Sequence, residues 1–545
     1  MIDCGCNRCH PRTYPMGWVQ QQSIGSRGAR LEITFPLAGS HYCSAMPRFV
    51  LAIDAGTTGV TALIVDETGA VTSSGYLEFE QHFPGDGWVE HDLNDIWSAT
   101  LSAAGAALET HEATGGRRAD IAALGITNQR ETVCFWDRET LGAARRAIVW
   151  QDRRTASMCE EWREAGREPR IVALTGLRLD PYFSATKISW VREHDPSTWA
   201  QVESVRVAIG TVDSYLIARM TRGLFHITDA SNASRTLLYD LGTGEWSPEL
   251  CDLFGVPLEA LPEIVASYGI VARTEPTTFL GLNVPISGIA GDQQAALVGQ
   301  AGTSKGSAKC TYGTGSFLLV HTGGEAITSG NGLLTTVALQ HPGGERDFAL
   351  EGAVFITGAA VQWLRDGLGI ITTAAEVEML AASVPDSGGV IFVPALTGLG
   401  APDWDPNARG LIIGITRATT AAHLARATLE AIAHQVADLV TLMSEEGGVH
   451  LPSLAVDGGA ASNGLLCQMQ ADVLGVPVDR SEQLQTTGLG AALLAGVGIG
   501  MWPSLRDLAG IRKSSGVFDP RAHHLLDRLA WRTAVNLCRG WASAR

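Results

Sequence analysis

The chain has 545 residues, of which 45% are hydrophobic and 18% charged, and its formal net charge is −17. The length predicts two or three domains, and the acidic balance argues against nucleic-acid binding and against docking on an anionic membrane. A small phosphorylated ligand is not excluded, because its site needs only local donors. No apolar run reaches the ~20 residues that span a bilayer, so we expect no membrane insertion.

The cysteines divide into two groups. Residues 1–45 contain "CGCNRCH", which with His10 resembles a metal-binding knuckle, but no second ligand pair follows, and we expect no metal site there. This segment also lacks hydrophobic periodicity and a secretory core, and we expect a disordered extension or an upstream start outside the folded unit. Single cysteines elsewhere are typical of a reducing cytoplasm. The two groups are Cys4, Cys6, Cys9 and Cys43, and Cys134, Cys159, Cys251, Cys310, Cys467 and Cys538.

A β-hairpin is predicted at the start of the folded unit. "FVLAID" (49–54) and "VTALIVD" (60–66) are aliphatic and β-branched runs, and "AGTTG" between them is a turn signal. "ETGAVTSSGYLEF" adds a third strand. "DLNDIWSATLSAAGAALETH" then predicts a helix that begins at Asp92 or Asn94.

The same pattern returns in the second half of the chain. "SAKCTYGTGSFLLVHTG" (307–323) is again strand, Gly-Thr turn and strand, and "LAVDGGAASNGLLCQMQADVLG" is strand, Gly turn and helix. A long helix is predicted at about 420–445, and "GLGAALLAGVGIGMW" (488–502) predicts a small-residue helix packed in a core. The repeat predicts two similar α/β domains that face each other across a cleft, with a boundary near 299–306.

Gly-Thr turns have the chemistry of a phosphate site. Their backbone N–H groups are unobstructed and their hydroxyls donate, so they can surround phosphate oxygens, although each turn alone is also typical of a purely structural hairpin. Asp54 ends the first strand and can orient Mg²⁺, which uses one or two carboxylates plus substrate oxygens. The chain has no Walker A sequence. Three such turns together indicate a nucleotide held between domains.

Several longer motifs carry a resemblance to a known family. They include "NQRET", "AIVWQDRRT", "DPYFSATKISW", "GTVDSYLIARMTRG", "HITDASNASRTLLYDL", "GIAGDQQAAL" and "EGAVFITGAAVQWLRD". From about residue 48 to 502 the chain resembles the FGGY carbohydrate kinases. The resemblance implies two ribonuclease-H-like domains of the actin and hexokinase ATPase type around a central cleft. The implied division is 46–300 (substrate and first hairpin), 301–505 (nucleotide) and 506–545 (a helical tail).

The motif set is that of family members that phosphorylate glycerol. The resemblance implies transfer from ATP, with Mg²⁺, to a terminal hydroxyl of glycerol, giving sn-glycerol 3-phosphate. It makes Asp292 the general base, whereas an N-cap aspartate would be the structural interpretation. The implied glycerol contacts are Arg130, Glu131, Trp150, Tyr182, Asp292, Gln293 and Phe317. The implied nucleotide contacts are Thr57, Thr58, Gly59, Thr314, Gly358, Gln362, Gly459 and Asn463, with Asp54 for Mg²⁺.

Two departures and two alternatives accompany the resemblance. Most glycerol-phosphorylating members have Thr-Thr-Ser-x-Arg in the first hairpin, whereas this chain has Thr61 in place of the arginine. The loop with which some bacterial members bind a sugar bisphosphate is missing, so we expect no such control. The alternatives are a kinase of this family for another polyol or sugar, and a non-catalytic actin-like nucleotide switch. The sequence also allows a homo-oligomer.

Overall fold

The structure is a computed structural model that describes residues 48–405, 407–521 and 527–543. The predictions made for residues 1–45, including the cysteine-rich segment with His10, lie outside the described residues. The six cysteines of the later group are all buried and carry free thiols.

The described strands fall before and after residue 300. Those before it are β1 (Phe49–Ala55), β2 (Gly59–Val65), β3 (Val71–Glu78), β4 (Glu90–His91), β5 (Ile121–Asn128), β6 (Cys134–Asp137), β7 (Ala147–Ile148), β8 (Val207–Gly210), β9 (Ile227–Asp229), β10 (Tyr239–Asp240), β11 (Glu245–Trp246), β12 (Glu263–Val265), β13 (Tyr268–Arg273) and β14 (Pro285–Gly291). Those after it are β15 (Ala308–Tyr312), β16 (Ser316–Gly323), β17 (Leu334–Gln340), β18 (Arg346–Val354), β19 (Ile391–Val393), β20 (Leu411–Ile413), β21 (Leu454–Asp457), β22 (Val478–Ser481) and β23 (Ser514–Phe518).

The described helices divide in the same way. The first group is α1 (Leu93–Ala113), α2 (Ala156–Glu164), α3 (Glu168–Thr175), α4 (Ser184–His194), α5 (Pro196–Glu203), α6 (Val212–Met220), α7 (Ala230–Ala233), α8 (Pro248–Phe254) and α9 (Asp292–Gly299). The second group is α10 (Gly358–Asp366), α11 (Glu376–Ala382), α12 (Ala421–Gly447), α13 (Gly464–Leu474), α14 (Thr486–Gly498) and α15 (Arg528–Ser543). No helix among the described residues is both long and apolar enough to cross a membrane.

Two large mixed sheets have the same plan. The first has the strand order β13-β14-β5-β1-β2-β3, and the second has the order β17-β18-β16-β15-β21-β22-β23. In the first sheet, β1, β2 and β3 are antiparallel, and β5 and β14 extend it in parallel beside β1. In the second, β15, β16 and β18 are antiparallel, and β21 and β22 extend it in parallel beside β15. The two ribonuclease-H-like domains implied by the resemblance are therefore present.

The predicted hairpins and helices form as the sequence indicates. β1 and β2 pair antiparallel around the first Gly-Thr turn, as β15 and β16 do around the second. Helix α1 has Asp92 as its N-cap, and the carboxylate accepts from the backbone N–H of Asn94. Helix α12 is the long helix predicted at about 420–445, and it begins with a capping box between Thr420 and His423.

Helix α14 is the predicted small-residue helix, and it packs on the first sheet. A Cβ at Gly490 would lie 1.8 Å from the carbonyl oxygen of Ala295 in α9. On the sheet side, a Cβ at Gly125 would lie 2.2 Å from the carbonyl oxygen of Ala491. Only glycine allows these backbones to approach so closely, so the small residues fix α14 against β5 and against the helix that begins at Asp292.

The end of the chain is more than a helical tail. Before α15, strand β23 pairs antiparallel with β22 and forms one edge of the second sheet. Helix α15 then packs on the second half of the molecule through Trp531, which is buried and donates its indole N–H to Asp438.

Candidate active site

The first Gly-Thr turn connects β1 to β2. The backbone N–H of Gly56 donates to the carbonyl of Gly59 at 3.0 Å, and Thr58 at the tip is exposed. The hydroxyl of Thr57 accepts a hydrogen bond of 2.9 Å from the indole N–H of Trp150. The sequence assigned Thr57 to the nucleotide and Trp150 to the substrate, and the structure brings the two residues into contact.

The second Gly-Thr turn, between β15 and β16, is joined to the start of α10. The backbone N–H of Gly358 donates to Gly313 at 3.0 Å, and the N–H of Ala359 donates to Thr314 at 3.1 Å. A Cβ at Gly358 would lie only 2.6 Å from the carbonyl oxygen of Gly313. Thr314 and Gly358 are therefore adjacent, while Gln362 is exposed on the next turn of α10.

The third glycine turn, between β21 and α13, lies against the second. Gly458 has φ of +86°, and a Cβ there would lie 2.4 Å from the carbonyl oxygen of Tyr312, the last residue of β15. A Cβ at Gly459 would meet nothing within 4 Å, so its backbone is open to a ligand. The side chain of Asn463 caps α13 by accepting from Leu466 at 2.9 Å.

Four buried charged residues form a ring beside the first sheet. Arg130 donates to Glu351 through Nη1 (2.5 Å) and Nη2 (3.2 Å). Arg235 donates through Nη2 to the same glutamate (2.9 Å) and through Nε to Glu131 (2.6 Å). Burial raises and the two arginines lower the pKa of Glu351, and the arginines prevail, leaving it at about 2. We call Arg130, Glu131, Arg235 and Glu351 the ionic ring.

Glu131 is held in an unusual backbone conformation within this ring. Its φ is +61°, which is rare for a residue with a side chain and is often found at functional sites. Its Oε1 accepts from Arg235, whereas Oε2 receives no hydrogen bond from the described residues. Burial raises the pKa of Glu131 above its ordinary value, although the charges of Arg130 and Arg235 oppose the rise. Oε2 is available to accept from a ligand hydroxyl.

Asp292 lies at the edge of the ionic ring. It is the first residue of α9, whose N-cap is Gly291, so the N-cap interpretation of Asp292 does not hold. Its Oδ1 lies 3.0 Å from Nε of Arg130 and accepts the backbone N–H of Gln293 at 2.7 Å. The side chain is 31% exposed, whereas those of Arg130 and Glu351 are 2% and 1% exposed. A ligand can therefore reach this carboxylate, which has a cation beside it.

Asp54 faces the same space from the end of β1. Burial, followed by the charge of Asp292, raises its pKa to about 7. Its carboxylate receives no hydrogen bond from the described residues. Thr61 pairs with Asp54 across β1 and β2, so the arginine expected at this position would stand beside the carboxylate. In place of an arginine, a second carboxylate, Asp292, is the charged group that shifts the pKa of half-buried Asp54 among the described residues, and this donor pair fits a divalent metal.

The predicted aromatic wall is only partly assembled. Trp150 and Tyr182 meet edge to face with ring centroids 5.5 Å apart, and the guanidinium of Arg235 lies 5.6 Å from the ring of Tyr182. Phe317 lies on β16 in the second sheet, opposite Thr311. Within the described residues, no ring contact joins Phe317 to Trp150 or Tyr182.

Gln293 is oriented from the second sheet. The Nζ of Lys309, a buried residue of β15, donates to Oε1 of Gln293 and also to the hydroxyl of Thr311 at 3.0 Å. Lysine has no acceptor, so the contact fixes which end of the amide faces Lys309. The Nε2 group of Gln293 is left to donate to a ligand oxygen.

Three residues of this site were missing from the sequence predictions: Arg235, Lys309 and Glu351. Each is a charged residue in an otherwise apolar or small-residue stretch, as in "DFALEGAV" and "SAKCTYG". Charged residues are almost never fully buried unless they are paired, so a charge in a strand pattern was an available signal. The partners of these charges lie far away in the sequence, and the signal could not identify them.

Known protein families and relatives match most of this chain. The model of the FGGY family of carbohydrate kinases, N-terminal domain, matches residues 49–299, and the C-terminal domain model of the same family matches residues 308–499. A glycerol kinase of Aromatoleum aromaticum is 51% identical over 91% of this chain and 100% of its own length. A glycerol kinase of Deinococcus radiodurans is 50% identical over 91% of this chain and 98% of its own.

A solved structure supports the same assignment. The crystal structure of Plasmodium falciparum glycerol kinase with ADP superposes with a TM-score of 0.84 at 33% identity, covering 91% of this chain and 98% of that one. Both family models match in chain order, and together they include both sheets except the edge strand β23. The chain belongs to the FGGY family of carbohydrate kinases.

Proposed function

We propose that this protein transfers the γ-phosphoryl group of ATP to a terminal hydroxyl of glycerol, producing sn-glycerol 3-phosphate and ADP. The observation that carries the mechanism is the position of Asp292, an accessible carboxylate between the ionic ring and Asp54. The relatives of 51% and 50% identity that are named glycerol kinase support glycerol as the substrate. The relative crystallised with ADP supports the nucleotide.

Asp292 acts as the general base. The hydroxyl oxygen of glycerol forms a bond to the γ-phosphorus while the bond from that phosphorus to the bridging oxygen of ADP breaks. The hydroxyl proton passes to the carboxylate of Asp292. Arg130, 3.0 Å away, holds this carboxylate in place, so most of the rate comes from alignment and charge stabilisation.

The other glycerol hydroxyls are held by side-chain atoms whose hydrogen-bonding capacity is not used by the described residues. Oε2 of Glu131 accepts a hydrogen bond from one hydroxyl, and Nε2 of Gln293 donates a hydrogen bond to the oxygen of another. The rings of Trp150 and Tyr182 contact the carbon chain. Phe317, from the second sheet, completes this wall when the cleft contains substrate.

The three glycine turns hold ATP. Thr57, Thr58 and Gly59 bind phosphate oxygens from the first domain, and Thr314 and Gly358 bind them from the second. Gln362, Gly459 and Asn463 contact the rest of the nucleotide. Gly459 follows Gly458, where a Cβ would lie 2.4 Å from the carbonyl oxygen of Tyr312 beside the second turn. Backbone N–H groups suit this task because they donate without a side chain in the way.

Mg²⁺ is proposed as the metal that accompanies ATP. Asp54, assisted by Asp292, would hold it. Burial, followed by the charge of Asp292, raises the pKa of Asp54, and a divalent ion would offset both causes. When bound, the ion neutralises charge on the β- and γ-phosphate oxygens. We place the reaction in the cytoplasm because ATP is its substrate, and a homo-oligomer stays a prediction.

The test is an ADP-release assay with glycerol, dihydroxyacetone, xylulose, erythritol and gluconate in parallel. Glycerol should give the highest kcat/KM. The Asp292→Asn variant should lose about a hundredfold or more of kcat and keep ATP binding, measured by calorimetry. An equal kcat/KM for another substrate would contradict glycerol as the preferred substrate. An active Asp292→Asn variant would contradict Asp292 as the general base.

A further inference from the structure

Glu351 is the member of the ionic ring that comes from the second domain. It lies on β18, whereas Arg130, Glu131 and Arg235 lie between β5 and β10 in the first domain. Both oxygens of Glu351 are occupied, because Oε2 accepts from Arg130 and Oε1 accepts from Arg130 and Arg235. One carboxylate of the second sheet therefore holds both arginines of the substrate site.

Stability alone is a weak reason for such a ring. Removing four charges from water is costly, and a buried ionic group often contributes no more than well-packed apolar residues of the same volume. The ring is complete only when the second sheet is in place, because two of its four ion pairs end on Glu351. Its geometry therefore points to positioning.

The contact fixes the direction of the Arg130 guanidinium. Both Nη groups of Arg130 donate to Glu351, and Nη1 also makes a longer hydrogen bond of 3.3 Å to Oε1 of Gln294. This leaves the Nε edge 3.0 Å from Asp292. A guanidinium pairs most strongly with a carboxylate through two parallel N–H groups. Without Glu351, Arg130 can turn its fork towards Asp292 and occupy the carboxylate that the substrate hydroxyl needs.

We propose that Glu351 is a positioning residue for phosphoryl transfer. It prevents Arg130 from forming a bidentate ion pair with Asp292, and it holds Arg235 in contact with Glu131. This inference rests on the proposed function and extends it. The second domain, whose turns hold ATP, thereby also sets the geometry of the glycerol site. The substrate-binding side chains of the first domain reach their working arrangement only when the carboxylate of Glu351 on β18 contacts both arginines.

The test compares Glu351→Gln with Glu351→Asp. The amide keeps the shape and removes the charge, so we expect KM for glycerol to rise and kcat to fall, each about tenfold or more. KM for ATP should stay within about twofold, because the described hydrogen bonds of the Glu351 carboxylate go to Arg130 and Arg235 and not to the glycine turns. Glu351→Asp restores the charge at a shorter reach and should recover part of both losses.

The matched control is Asp472→Asn. Asp472 is a buried carboxylate of the same domain that accepts from Arg521, and it lies at the far end of α13 from Asn463. A residue that only stabilises the fold should behave like this control, with a lower unfolding temperature and unchanged KM values. All variants are assayed below their unfolding temperatures.

The outcomes separate the two proposals. Absence of glycerol-dependent turnover in the unaltered protein overturns the proposed function and this inference with it. With an active unaltered protein, a Glu351→Gln variant whose KM for glycerol and kcat match Asp472→Asn overturns the inference alone. If Glu351→Gln does not fold, an unchanged KM for glycerol in Glu351→Asp overturns it as well.

Discussion

The two ends of the candidate active site are built in opposite ways. At the substrate end, the ionic ring consists of buried charged side chains that occupy one another. At the nucleotide end, the groups are mostly backbone on glycine turns, and Thr58 and Thr314 are exposed. The first end is held by contacts among its own side chains, and the second offers open backbone donors. Changes at the substrate end should therefore lower stability, and changes at the nucleotide end should lower affinity.

The largest effect is expected from breaking the ionic ring. Arg235→Met leaves the carboxylates of Glu131 and Glu351 buried with one arginine between them. We expect the free energy of unfolding to fall by about 3–5 kcal/mol, measured by urea denaturation.

The control for this variant is an exposed ion pair. Arg170 and Glu249 are 57% and 52% exposed, so Arg170→Met should lower the free energy of unfolding far less than Arg235→Met does. Similar losses for the two variants would contradict the idea that the ring is a buried, mutually dependent unit.

The next effect concerns the nucleotide end. Gly358→Ala places a Cβ 2.6 Å from the carbonyl oxygen of Gly313, so the turn that presents Thr314 must shift. We expect KM for ATP to rise by about tenfold to a hundredfold at saturating glycerol, with KM for glycerol nearly unchanged.

A second glycine serves as the control. A Cβ at Gly105 in α1 would meet nothing within 4 Å, so Gly105→Ala should leave both KM values unchanged. Its unfolding free energy should rise by about 0.5–1 kcal/mol, because alanine favours a helix over glycine. A rise in KM for glycerol in Gly358→Ala would show that the two ends are not separate.

The same contrast explains what the sequence could predict. The nucleotide end is made of local signals, since a turn such as "AGTTG" or "YGTG" announces itself within a few residues. Both hairpins, α1, α12, α14 and the two-domain plan were therefore predictable. The motif resemblance gave candidate residues for the substrate end, and the structure brings Arg130, Glu131 and Asp292 together.

The remainder depends on contacts between distant segments. Arg130 and Glu351 are 221 positions apart, so no local pattern could pair them. Lys309 contacts Gln293 because β15 and α9 are adjacent in space. β15 belongs to the second sheet, whereas α9 follows β14 of the first sheet. The edge strand β23 was missed because "SSGVF" is short and has little apolar alternation.

The third effect lies where the two ends meet, at Asp54. Since burial and Asp292 raise its pKa to about 7, protons compete with Mg²⁺ for this carboxylate below that pH. The Mg²⁺ concentration for half-maximal activity should therefore be about tenfold higher at pH 6 than at pH 8. ADP release titrated with Mg²⁺ at both values measures it.

Thr61→Arg sharpens this prediction. The arginine would stand opposite Asp54 and stabilise its charged form, so the pH dependence should move to lower pH. It should also lower KM for ATP by supplying a cation near the phosphates. An unaltered chain whose Mg²⁺ requirement is the same at pH 6 and pH 8 would contradict the role of Asp54.

The smallest effect tests the hydrogen bond that joins the substrate wall to the first phosphate turn. Trp150→Phe keeps an aromatic ring and removes the N–H that donates to Thr57. A lost hydrogen bond of this kind is worth about 0.5–1.5 kcal/mol, so KM for glycerol and for ATP should each rise about two- to tenfold. If the bond couples the two ends, Trp150→Phe and Thr57→Ala together should cost less than the sum of the single variants, by about 1 kcal/mol. Strictly additive costs would mean that this hydrogen bond does not couple the substrate end to the nucleotide end. Glu351 would then be the contact through which the second domain acts on the glycerol site.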